Sequence, residues 1–197
     1  MKNQAFKCVM EFTKKYNIDE SHSLKHSMEV LRFAENIYNS ELGANPFLLE
    51  HKQIIMTSAI LHDMCDRKYV SDESAVISEI REYMAGFLTE YELDVIVSII
   101  TTMSYSKVKK NGYPDLGQYQ LAYHIVREAD LLAAYDIDRC IIYSMSVDKT
   151  AYTAAVERAQ LLFADRVMKY RSDGLFITDW SKAKSLELHS LVDYKHT

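Results

Sequence analysis

The chain is poor in glycine and proline. Its 197 residues hold five Gly and two Pro, where an average usage of about 12% would give about 24. Sandwiches and barrels turn at every strand and draw on these residues for unusual φ values, so the shortage excludes them. The motifs GxGxxG and GxxxxGKS/T are also missing, which removes any basis for a Rossmann or P-loop phosphate cradle. Cysteine is scarce and unpaired. Cys8, Cys65 and Cys140 are an odd number at wide spacing, with no CxxC, which disfavours structural zinc and suits a reducing interior. The opening MKNQAFKCVMEFTKKY has no apolar h-region, so a secretory signal is not expected. Stretches such as IIMTSAIL are too short, and too interrupted by Thr and Ser, to span a bilayer. Positive charge is lacking as well: at a net charge of −5 and a pI ≈ 5.8 the chain has no footprint for a nucleic-acid polymer. The expected location is cytoplasmic, with the nucleus as the alternative and no membrane partner.

What is present is helical periodicity, with a hydrophobic content of 48% that can fill one core. A first amphipathic helix carries Phe6, Val9, Met10 and Phe12 and closes near Asn17. A second, capped by Ser21 or Ser23, runs to about Leu42 along a stripe of Val30, Phe33 and Ile37. Gly43 ends it, and Asn45-Pro46 supplies a cap and first position for a third helix. That helix puts Ile55, Ser58, Ala59 and His62 on one face. A fourth covers Ala75 to Phe87, and Thr89-Glu90-Tyr91-Glu92 forms a capping box for a fifth, DVIVSIITTM. The segment SKVKKNGYPDLGQ reads as a loop. A long sixth helix is expected from Tyr119 to about Met145, a seventh from near Asp148 and an eighth from near Thr178. The predicted architecture is an all-α helical bundle, one domain over 1–197, its C-terminal helices packing on the rest.

Three of these helices each turn a polar group inward. His62, followed by Asp63, lies on the apolar stripe four residues after Ser58, and His26 stands four before Val30 and seven before Phe33. Asp130 has Val126, Ala134 and Ile137 at i−4, i+4 and i+7. An unpaired buried polar group costs about 1–3 kcal/mol, so each position needs a partner. Two explanations fit the pattern. Either the groups are satisfied separately, with Asp130 paired to Arg127 or Lys25, or they share a divalent ion suited to a mixed N/O set: Mn²⁺, Fe²⁺, Co²⁺, Ni²⁺, Zn²⁺ or Mg²⁺. His51, His189 and His196 have no such constellation, His124 falls on another face from Asp130, and Cys65 is read as filler.

His26, the His62-Asp63 doublet and Asp130, in that order on successive helices, resemble the HD-domain metal-dependent phosphohydrolase superfamily. The likeness extends to His22 four residues before His26, to LHDMCDRKY against HD-x-x-D-x-K, to MSYSK against SYSK, and to VREADLL against VxDADxL. It runs from about Ser21 to Arg139, and it is greatest to the small single-domain nucleotide pyrophosphohydrolase-like branch. It implies a helical bundle with one divalent ion on His26, His62, Asp63 and Asp130. It further implies Asp66, Lys68 and His22 as catalytic residues and Lys107 beside the substrate, with neighbouring Tyr105 expected to stack on a base or touch phosphate. Asp66 would orient the metal-activated water or take its proton, His22 would donate to the leaving group, and the lysines would offset charge on phosphate oxygens. HDMCDR lacks the acidic pair of the ppGpp-hydrolase branch, and TTMSYS offers no histidine for a second ion. The implied reaction is hydrolysis of a phosphate ester or anhydride of a nucleotide. A phosphodiesterase or nucleoside monophosphate phosphatase is the alternative enzyme, and a non-catalytic scaffold with an HD core is the alternative class. Tyr and Met on the outer helices leave a homodimer open.

Overall fold

A computed structural model describes residues 1–195; His196 and Thr197 lie outside the described residues. The elements are α1 Lys2–Lys15, α2 Leu24–Glu41, α3 Leu48–Leu61, α4 Glu73–Met84, α5 Glu90–Thr102, α6 Tyr105–Asn111, α7 Gln120–Ala133, α8 Ile137–Ser146, α9 Tyr152–Asp165 and α10 Asp179–Lys195. No strand occurs among the described residues; Ala85 and Leu88 form an isolated bridge. The all-α expectation holds, and no described helix is long and apolar enough to cross a membrane.

Helix α3 is the axis of the molecule. It packs against α1, α2, α5 and α7, while α2 and α7 close on each other. The expected single apolar face of α3 is buried all round from Ile54 to Leu61, a stretch without charged residues, whereas Leu49, Glu50, Lys52 and Gln53 of its first turns are exposed. Helix α1 buries Ala5, Cys8, Val9 and Phe12, and Met10 of its expected stripe is exposed. Along α2, Val30, Leu31, Ala34 and Ile37 are buried with His26, and half-buried Phe33 meets Trp180 of α10. The capping box of α5 is present: Glu92 N donates to Thr89 Oγ1 at 3.2 Å and Thr89 N to Glu92 Oε2 at 2.8 Å.

Several helix boundaries differ from expectation, two of them where a capping aspartate sets the start. The expected helix from Tyr119 to Met145 is two helices, α7 and α8, divided at 134–136. Asp136 accepts from Asp138 N at 3.2 Å and so starts α8 afresh. Asp72 accepts from Ala75 N at 3.0 Å, which starts α4 at Glu73 and not at Ala75. The expected loop SKVKKNGYPDLGQ begins with α6, closed by Gly112 at φ +76°, a left-handed terminus that glycine adopts without strain. The third helix begins at Leu48, after a turn at Pro46-Phe47, and the seventh expected helix begins at Tyr152 instead of Asp148.

Candidate metal centre and its cleft

The inward polar groups of α2, α3 and α7 meet at one point. His26 Nε2 lies 2.9 Å from His62 Nε2, and Asp63 Oδ2 is 3.2 Å from each of them. Asp130 Oδ1 lies 3.4 Å from His26 Nε2 and 3.6 Å from His62 Nε2. Ligand atoms about 2.1 Å from one ion are about 3.0 Å apart at a right angle and about 3.4 Å apart at the tetrahedral angle. The observed separations bracket those values. His26, His62 and Asp130 form the tight group, with one donor atom each inside a 4.8 Å span, and they can hold a metal ion. Neither Lys25 nor Arg127 takes up Asp130; Arg127 is committed to Glu128 and to the carbonyl of Leu175.

Local structure aims these atoms. His62 Nδ1 donates to the carbonyl of Ala59 at 2.9 Å, one turn back along α3. A carbonyl only accepts, so in the neutral ring the lone pair sits on Nε2, facing the cluster. Asp63 Oδ2 is buried and has no hydrogen-bond partner despite its two close nitrogens. A buried carboxylate oxygen without a donor is costly, and a cation at the cluster would satisfy it. Burial works against the charged His62 ring, but Asp63 and Asp130 outweigh it and push its pKa up to about 10. Burial likewise opposes the charged carboxylates, yet the histidines hold both well below the usual carboxylate range. The imidazole side chains are buried, whereas Asp63 and Asp130 are 14% and 26% exposed, so the cluster opens on its carboxylate side.

That side is the floor of a cleft of ≈ 1090 Å³. Asp66, Lys68 and Lys107 line it as the resemblance implies, and Arg67, Lys110 and Arg166 add three cations. Asp66 Oδ1 accepts from Lys68 N at 2.9 Å, and its Oδ2 lies 3.6 Å from Lys68 Nζ. Lys107 Nζ donates to Thr101 O at 2.7 Å and to Glu73 Oε1 at 3.2 Å, while Glu73 Oε2 takes Arg67 Nε at 2.8 Å. Glu73 thus draws two of the cations to one wall. Tyr105 lines not this cleft but a smaller adjoining cavity, with the Arg166 guanidinium 4.4 Å over its ring.

His22 is set by a relay. Tyr69 OH donates to Asp19 Oδ2, so the tyrosine oxygen at 2.9 Å, and with it Ser21 Oγ at 2.5 Å, can accept from His22 Nδ1. The Nε2 lone pair is then left for Lys68 Nζ at 3.4 Å. Burial lowers the His22 pKa most, Lys68 and Arg139 add to that against Asp63, and it falls to about 4. His22 is therefore neutral at ordinary pH, and the expected gift of a proton to a leaving group is poorly served by this ring. Its geometry is that of a group positioning Lys68.

Four charged residues at or near the site carry no local motif. Arg139 donates from Nε to Ser21 O at 2.7 Å and brings Nη2 to 3.9 Å from Asp63. Arg67, Glu73 and Arg166 line the cleft. Arg67 stands inside the segment LHDMCDRKY, between Asp66 and Lys68; Arg166 arrives only through the return of α9 along α8.

No family model and no curated protein matches this chain. Among solved structures it is similar to a Lactobacillus plantarum protein determined as a structural-genomics target. The two are 21% identical over 98% of this chain and 93% of the other, with a TM-score of 0.72. At that identity the likeness is one of fold, and it extends over nearly the whole helical architecture.

Proposed function

We propose that this protein is a metal-dependent phosphohydrolase of the HD-domain type, cleaving a phosphate ester or anhydride of a nucleotide. The observation that carries the reading is the orphaned Asp63 Oδ2 beside two facing Nε2 atoms, at the floor of a cleft lined by five Lys and Arg residues. His26, His62, Asp63 and Asp130 would hold the ion. When bound, it supplies Lewis-acid polarisation of a phosphoryl oxygen and lowers the pKa of water. The chain's own groups do the rest. Lys68, Arg67 and Arg166 attract and orient the phosphates, and they counter charge that grows on the non-bridging oxygens. Asp66, poised beside Lys68, accepts the proton of the attacking water or orients it. His22 holds Lys68 in place. No glycine lines the cleft, so side chains and the ion bear the load of anion binding.

The test is a nucleotide panel assayed with Mn²⁺, Fe²⁺, Co²⁺, Ni²⁺, Zn²⁺ and Mg²⁺, reading phosphate and pyrophosphate release separately. One equivalent of metal and metal-activated hydrolysis are expected, with Asp63→Ala inactive. Phosphate release from monophosphates alone would assign the monophosphatase alternative, and cleavage only of diesters the phosphodiesterase. No bound metal together with no activation by any ion would leave the scaffold reading.

Glu73 gives a second expected result. Glu73→Gln frees Lys107 and Arg67 from a competing carboxylate. Partly exposed ion pairs are worth about 0.2–1 kcal/mol, so KM for a phosphorylated substrate should fall about two- to fivefold at low salt. An unchanged or higher KM in a folded variant would show that Glu73 does not compete with substrate.

A further inference from the structure

A second cavity, of ≈ 190 Å³, adjoins the cleft. The two share Met103, and neighbouring residues divide between them. Asp130 lines the cleft and Leu131 the cavity; Lys110 lines the cleft and Lys109 the cavity. Arg166, in the cleft, covers the ring of Tyr105, in the cavity. Helix α6, drawn from the segment with the highest glycine and proline content, therefore borders both.

We propose that this cavity receives the base of a nucleotide whose phosphate lies in the cleft. The proposal rests on the phosphohydrolase reading for its choice of ligand, and on three features of the cavity itself. Its volume is below the about 300–1,000 Å³ of a pocket for a complete small ligand, so it suits one ring system of a larger molecule. Its walls are mainly apolar: Met103, Val108, Leu131 and Leu175, with the planar Tyr105 ring held by Arg166 at 4.4 Å, Lys109 at 5.7 Å and Tyr170 at 5.3 Å. A heterocycle matches such walls with its faces. Its polar requirement matches the edge of a base. Arg127 lines the cavity and is buried, with Nη2 spent on Leu175 O at 2.6 Å, but its Nε has no partner. A buried N–H without an acceptor is unfavourable, and a small turn of the guanidinium toward a ring nitrogen or carbonyl oxygen in the cavity relieves it. Exposed Asp173, among the lining residues, offers an acceptor for an exocyclic amine or ring N–H.

A nucleoside, lacking phosphate, isolates this cavity from the cleft. Full-length protein stripped with EDTA is titrated with uridine, cytidine, adenosine and guanosine by ligand-observed NMR. A Kd on the order of millimolar is expected for at least one, given the few atoms a base supplies. Val108→Trp fills the cavity from α6 and Asp173→Trp obstructs it from an exposed position, so loss of one fold leaves the other variant to decide. Each should weaken nucleoside binding at least tenfold. In the metal-loaded enzyme, each should raise the ratio of nucleotide KM to ribose 5-phosphate KM by a similar factor. Absence of nucleoside binding by the wild type, or equal binding by the folded variants, overturns the assignment. The two readings fail separately. Nucleosides that bind and are displaced by Val108→Trp, without hydrolysis under any metal, uphold the cavity and remove the phosphohydrolase; hydrolysis with an unaltered KM ratio does the reverse.

Discussion

Exchange of Asp130 for asparagine is expected to lower metal-dependent hydrolysis about 10³-fold or more and to abolish the stabilisation of the protein by its ion. The substitution keeps size and shape and removes one negative charge from a cluster of two imidazoles and two carboxylates. A catalytic ion contributes several kcal/mol of charge stabilisation, and about 1.36 kcal/mol is a factor of ten in rate. An ion at about 100 times its Kd stabilises the folded state by about 2.7 kcal/mol. For a domain of this size that is a rise in Tm of roughly 5–11 °C. The wild type should show that rise, and Asp130→Asn should show almost none. Calorimetry with and without the ion separates the possible results. A variant that still gains the full shift binds its metal without Asp130, and the four-residue assignment is then incorrect.

The centre was legible because polar residues on an apolar helical stripe are conspicuous. His26 and His62 are buried where the periodicity of α2 and the third helix puts them, and Asp130 faces them from α7. Their mutual distances were not legible, since spacing along each helix says nothing of how the helices cross. The tautomer of His22 depends on Asp19 and Tyr69, 50 residues apart in sequence and joined only by the fold. Arg166 has no motif and reaches the cleft through the α8–α9 return.

Helix ends show the same division between local and long-range information. The capping box at Thr89 is a local signal and was readable. The break between α7 and α8 was not, because Asp136 caps with its side chain inside a run that otherwise continues the helical pattern. Gly112 was read as part of a loop when it ends a helix, since glycine marks either one until its φ is known. Tyr105, expected to stack on a base or touch phosphate, lines the adjoining cavity and not the cleft.

The largest expected loss of stability comes from a residue that no pattern singled out. Glu128 lies on α7 two positions before Asp130, is fully buried, and binds a distant segment of chain. Its Oε1 accepts from Ile177 N at 2.7 Å, and its Oε2 accepts from Thr178 N at 3.2 Å and Thr178 Oγ1 at 2.7 Å. Thr178 in turn accepts from Ser181 N at 3.4 Å, in the first turn of α10. Arg127, also buried, places Nη2 3.5 Å from Glu128 Oε1 and binds Leu175 O. One carboxylate therefore satisfies several buried donors, fixes the approach to α10 and balances a buried guanidinium. Glu128→Ala deprives all of them at once. Breaking one side of a buried ion pair costs about 3–5 kcal/mol, a large part of the roughly 5–15 kcal/mol that holds a domain together. Thermal unfolding should fall by roughly 6–20 °C. Glu128→Gln keeps one acceptor oxygen and should lose about half as much, while Thr178→Val, which removes one hydroxyl bond, should cost about 1–2 kcal/mol. A Glu128→Ala protein within about 1 kcal/mol of wild type would mean that water reaches these donors. In the expected case the loss spreads beyond α10, because the helix that Glu128 anchors presents Asp130 to the candidate metal centre and Leu131 to the adjoining cavity.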